Sequence, residues 1–150
     1  MTRVCIVGQS EVAIKADLLA YETARAALAP YDFVEPFENS LAVDTVSLGA
    51  AVSLLNDLNW YLVRLSRAAF VKDHSISETE WLSRDLAAAI RNGDLTPEQS
   101  GDYLKIYGVD DGRLVEPMYA ARTVDGVPEY DLRDVPETVV VRVTESEFGN

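Results

Sequence analysis

The 150-residue sequence predicts a single α+β domain: a mostly antiparallel sheet with a central buried helix at Val46–Arg67 and two further long helices. Three observations predict it. The run VSLGAAVSLLNDLNWYLVRLSR (Val46–Arg67) is the longest apolar stretch and repeats at helical spacing. Helix-start and helix-stop signals dominate the first two-thirds of the chain. From Tyr103 the period changes to two, with Asp-Gly turns between the runs.

Each element has its own warrant. Val4, Cys5, Ile6 and Val7 stand in a row before Gly8, as in a first strand buried on both faces. Ile14, Leu18, Tyr21, Ala24 and Leu28 recur at helical spacing, with the start anywhere from Ser10, which could cap it, to Asp17, and Pro30 ending the helix. Phe33–Phe37 and Leu41–Val46 read as short strands around Glu38-Asn39-Ser40, with Pro36 placing the first at an edge. Thr45 or Ser47 caps the central helix. A capping box (Ser77, Glu80) and a staple of Ile76 with Trp81 predict a helix at Trp81–Arg91, closed by Gly93. Thr96-Pro97-Glu98-Gln99 repeats the start signal before a turn or two of helix. Tyr103–Val109, Arg113–Val124, a piece around Val127–Tyr130, and Thr138–Thr144 read as strands. Asp110-Asp111-Gly112 and Asp125-Gly126 turn the chain between them. The polar tail Glu145–Asn150 is expected to fray.

Composition narrows the setting. The formal charge is −12, from 13 Asp and 12 Glu against 10 Arg and 3 Lys, while Val (18) and Ala (17) crowd out Ile (5). Carboxylates hold water when salt competes for it, and Arg exposes less alkyl stem per charge than Lys. The balance predicts a salt-adapted cytoplasm. In molar salt the Debye length falls to ~3 Å, so net charge discriminates weakly among partners. Cys5 stands alone, which excludes an internal disulfide and a multi-Cys zinc site. His74 is the single histidine, so any site needing two imidazoles is excluded. Val46–Leu65 has bilayer length but carries Asn56, Asp57, Asn59 and Arg64, so no membrane span is expected. Nothing in Met1–Gly8 reads as a secretory leader.

No catalytic constellation stands out. Ile6-Val7-Gly8-Gln9-Ser10 could open a phosphate loop but lacks the further glycines or Gly-Lys-Ser/Thr such loops need. Nothing near Cys5 would lower its thiol pKa. Two features of the central run are sharper. At 100° per residue Asn59 falls on its Leu/Val face, where a buried amide needs a partner, either neighbouring backbone or Ser66. Between Asp57 and Asp73 there is no acid, yet Arg64, Arg67 and Lys72 fall there, with Trp60 one turn before Arg64 on the outer face. The plain reading is a set of cations complementing a helix C-terminus. The functional reading is a contact surface with an aromatic beside cations.

Arg3–Gly8, Asn39–Arg64, Glu80–Asp94 and Tyr130–Val135 together resemble an uncharacterised acidic family of haloarchaeal proteins, a domain of unknown function. The resemblance implies no activity and agrees with the salt-adapted composition. The sequence therefore predicts a non-catalytic cytoplasmic protein acting by macromolecular interaction, as a regulator or complex subunit. Its candidate binding residues are Asn59, Trp60, Arg64, Arg67 and Lys72. A protein or a second copy of the chain is the expected partner, with no cofactor and no metal. The alternatives are a small enzyme with a carboxylate/Asn pocket around Asn59, and an RNA- or DNA-binding protein.

Overall fold

The computed structural model describes residues 1–122 and 137–148. In chain order the elements are β1 (Thr2–Gly8), α1 (Ile14–Leu19), α2 (Glu22–Leu28), β2 (Ser40–Thr45), α3 (Leu48–Asp57), α4 (Asn59–Leu65), β3 (Ser66–Asp73), β4 (Trp81–Ser83), α5 (Arg84–Arg91), β5 (Tyr103–Asp110), β6 (Arg113–Ala121) and β7 (Glu137–Val143). Among the described residues the strands form one seven-stranded sheet, ordered β2-β1-β3-β4-β7-β5-β6. Every pairing in it is antiparallel except β4 with β7. The α+β class and the mostly antiparallel sheet follow the sequence reading.

The sheet is strongly curled. The rings of Phe70 (β3) and Tyr107 (β5) lie 5.6 Å apart although two strands separate their own. At ~4.8 Å per strand a flat sheet would hold them about 14 Å apart. The curl brings the β5–β6 turn back to the far edge, where Glu38 N donates to the Gly112 carbonyl at 2.8 Å. Cys5, Val7, Phe70, Trp81, Tyr107, Val141 and Val143 fill the concave side. Val4, Ile6, Val43, Val71 and Leu82 face the opposite way, onto the helices. This two-sided burial explains why β1 reads as an unbroken apolar run.

The central helix is corrected. Its run splits into α3 and α4 at Leu58, and the last part becomes strand β3. Of the two candidate caps, Ser47 is the one that caps α3, accepting from Ala50 N at 3.0 Å, while Thr45 donates to the Thr2 carbonyl. At the break a side chain takes the open backbone acceptor. Arg84 Nη2 donates to the Leu55 carbonyl at 3.1 Å, the acceptor an unbroken helix would give to the Asn59 amide. Ser66–Asp73 pairs with β1 on one side and β4 on the other, so Arg67 and Lys72 are strand residues and do not cap a helix.

The two further long helices are also corrected. The first divides at Ala20–Tyr21 into α1 and α2, and Asn39 rather than Ser10 supports its start by accepting from Ile14 N at 2.9 Å. The second begins three residues late, at Arg84, capped by Ser83 accepting from Leu86 N. Ser77 does accept from Glu80 N at 3.0 Å, but this closes a turn. Ile76 packs on the helical side and Trp81 on the concave side, so no staple forms.

The Thr96 capping box forms as read, opening a 3-10 turn at Pro97–Gly101. The strand expected at Phe33–Phe37 is reduced, among the described residues, to one bridge between Val34 and Ala42. Over its described residues, 145–148, the tail is anchored rather than frayed; Gly149 and Asn150 lie outside the described residues. Thr144 caps a 3-10 turn at Glu145–Glu147, and the ring of Phe148 then sits 5.0 Å from that of Tyr103. The Asp125-Gly126 turn, the strand piece at Val127–Tyr130 and the Tyr130–Val135 motif lie outside the described residues. Among the described residues, no helix is long and apolar enough to cross a membrane.

Candidate interaction surface

The five residues singled out by the sequence go to four places. Trp60 and Arg64 stay together on α4. The Arg64 guanidinium lies 3.7 Å from the Trp60 ring centroid, and its Nη1 donates to the Trp60 carbonyl at 2.6 Å. Trp60 is 52% exposed, and Val63 beside it 67%. The rings of Tyr21, from the α1–α2 junction, and Tyr61 complete a cluster. Tyr21 lies 5.9 Å from Trp60 and 5.0 Å from Tyr61, and Trp60 lies 5.2 Å from Tyr61. Tyr21 is itself 42% exposed. Sequence reading missed both tyrosines. Tyr61 could have been found from its place beside Trp60, but Tyr21 arrives only through tertiary packing.

Asn59 is not on the core face. The break at Leu58 puts Leu58 inside and turns Asn59 out to the surface. Its Oδ1 accepts from Arg84 Nη1 at 2.7 Å, not from Ser66, and Asn56 Oδ1 accepts from Arg84 Nη2 at 3.3 Å. Its role is to hold Arg84 at the helix break.

Arg67 leaves the Trp60 ridge. It is the extra residue of a bulge, because Val7 pairs with Ala68 while Gly8 pairs with Ser66. The bulge re-aims its side chain to the Leu114 carbonyl on β6. Arg67 thereby lines two clefts. One, of about 210 Å³, lies where β4 ends, among Phe70, Ser83, Lys105 and Tyr107. The other, of about 460 Å³, lies beside Gly8, Ser10–Ala13, Asn39 and Arg113.

Lys72 sits at the opposite end of β3. Its ammonium is 4.4 Å from the Trp81 ring centroid. Burial, and then the charge of Arg3, push its pKa down. Cys5, two residues along β1 from Arg3, is fully buried, and burial pushes its thiol up to about 12. That agrees with its reading as an inert core residue.

A second charged site was invisible to spacing. Glu80 Oε1 accepts from Arg142 Nε at 2.7 Å and Oε2 from Arg122 Nη2 at 2.7 Å. Burial pushes the Glu80 pKa up, but the two guanidiniums together hold it below the usual carboxylate range. Arg142 Nη1 also donates to Ser100 Oγ. This triad joins the segments before β4 and after β6 to β7, from residues far apart in the chain.

Residues 2–109 match the model of a family of unknown function (DUF5804). The chain belongs to that family. The DUF5804 match runs from β1 almost to the end of β5, so it takes in Tyr21, Trp60, Tyr61 and Arg64, and leaves out β6 and β7. No curated protein and no solved structure matches the chain.

Proposed function

We propose that the chain is a non-catalytic binding protein of a salt-rich, haloarchaeal-type cytoplasm, which docks a protein partner on the surface around Trp60. One observation carries this reading: Tyr21, Trp60, Tyr61 and Arg64 form a packed cluster in which Tyr61 rests on the core while Tyr21, Trp60 and Arg64 are exposed. Trp, Tyr and Arg are the residue types that most often anchor protein interfaces. Rings already braced against each other lose little freedom on binding. Apolar contact also keeps its strength in molar salt, where ion pairs are screened.

The chemistry favours a partner with an apolar centre and a cationic rim. Asp17, Glu22 and Asp57, near the patch in the chain, are all exposed acids. At this patch a nucleic acid would need a cation free for phosphate, and Arg64 instead lies on the Trp60 ring and donates to backbone. The enzyme alternative needs Asn59 in a carboxylate pocket, and Asn59 is at the surface in contact with Arg84.

The test is site-specific photo-crosslinking from position 63 in cells. The expected result is a defined adduct with one other protein, lost when Trp60→Ala is added. An adduct only with a second copy, or one indifferent to Trp60→Ala, would overturn the proposal.

A further inference from the structure

Two cations on the concave face lie in one cross-strand row. Arg3 on β1 pairs directly with Asp44 on β2 and with Lys72 on β3. The row continues towards Trp81 on β4, over whose ring Lys72 lies. These residues stand two places along their strands from the buried row of Ala42, Cys5 and Phe70, so they share that face.

Like charges placed directly opposite each other across strands are destabilising. Here one carboxylate serves two cations, and it is already spent. Asp44 Oδ1 accepts from Arg3 Nε at 2.9 Å and Oδ2 from Arg3 Nη2 at 3.3 Å. Among the described residues, no carboxylate lies within ion-pair distance of Lys72. The adjacent Asp73 projects to the other face and accepts from Thr2 and Ser75. The lowered pKa of Lys72 has the same origin: burial first, then Arg3. In a chain with 25 acids and 13 Lys and Arg, cations left facing each other are the exception.

The row borders a cavity. Met1, Arg3, Asp44, Lys72, His74 and Trp81 line about 370 Å³. That is near the lower end of the range for small-molecule sites, ~300–1,000 Å³. The lone histidine is therefore gathered with Arg3 and Lys72. Counting Asp44 against Arg3 and Lys72 leaves a net positive site.

We propose that this cavity is an oxyanion site for a small phosphorylated molecule. The phosphate bridges Arg3 and Lys72, relieves their repulsion, and accepts a further hydrogen bond from His74. A doubly charged phosphate matches the site better than a single carboxylate, because Asp44 already supplies one.

The experiment is a titration of the purified chain with inorganic phosphate, followed by the indole N–H resonances of Trp60 and Trp81 and by melting temperature. Sodium chloride of equal ionic strength and sodium acetate are the comparisons. The expected result is a saturable shift at Trp81 with Trp60 unmoved, and a rise in melting temperature that neither comparison reproduces. Lys72→Met keeps the stem over Trp81 and removes the charge. It should weaken phosphate binding by about tenfold or more. Its melting temperature without phosphate should be no lower than that of the parent, since the like-charge pair is gone. Chloride or acetate acting as well as phosphate, or Lys72→Met binding phosphate unchanged, would overturn the assignment.

Discussion

Arg84 donates to Asn59 Oδ1 at 2.7 Å and, from its other terminal nitrogen, to the Leu55 carbonyl at 3.1 Å. One side chain thus spans the break in the longest apolar run and ties both of its sides to α5. The direction of α4 sets where Trp60 points. Replacing Arg84 with Met should cost about 1–2 kcal/mol, at the lower end for charged hydrogen bonds because the site is partly exposed. Amide exchange should quicken at residues 55–62 before anywhere else. Exchange unchanged in this segment would mean that the break is set by other contacts.

Glu80 should be the most costly carboxylate to remove. Glu80→Gln leaves Arg122 and Arg142 without their shared charge, and about 2–3 kcal/mol is expected, somewhat less than for a fully buried pair. Its folded pKa is depressed, so its contribution is fully present above the ordinary glutamate range and is lost as pH falls through the folded value. Acid melting curves of the parent should therefore fall more steeply below pH about 4 than those of Glu80→Gln.

Gly8 is held by close approach. A Cβ there would lie 2.7 Å from Asn39 Nδ2 and 2.8 Å from Ile14 Cβ. Asn39 itself has φ +55° and bridges the loop, donating to Gln9 O and accepting from Ile14 N. Gly8→Ala should destabilise by about 1–3 kcal/mol in chemical denaturation, as overpacking does.

Cys5 should resist thiol reagents in the folded chain. Burial keeps the thiol protonated well above neutral pH, so labelling must wait for unfolding. The labelling rate at pH about 8 should rise with denaturant in step with the unfolded fraction. Rapid labelling in native buffer would contradict the packing around β1.

Local signals were legible where local forces decide. The Thr96 box, the Ser47 cap, the β5–β6 hairpin with its Asp111-Gly112 turn, and the doubly buried β1 all read directly from neighbouring residues. The losses came where distant residues override them. Ser77 and Glu80 spell a helix start, but the Glu80 carboxylate is taken by Arg122 and Arg142. The helix was read through Arg67 and residues 68–73 were given no element, yet Ser66–Asp73 pairs with the second edge of β1 as a strand. With the helix broken at Leu58, the phase that placed Asn59 inside no longer holds. For the site, Trp60 and Arg64 were legible from their spacing, whereas Tyr21 and the cross-strand row of Arg3 with Lys72 exist only in the folded chain.

The central claim is that Trp60 anchors a protein interface, and the most direct measurement is the affinity of the crosslinked partner for Trp60→Ala. Truncation of a central aromatic anchor costs ~2 kcal/mol or more, so Kd should rise by about thirtyfold. The melting temperature should barely move, because the ring is 52% exposed. An unchanged Kd with an unchanged melting temperature would contradict the account.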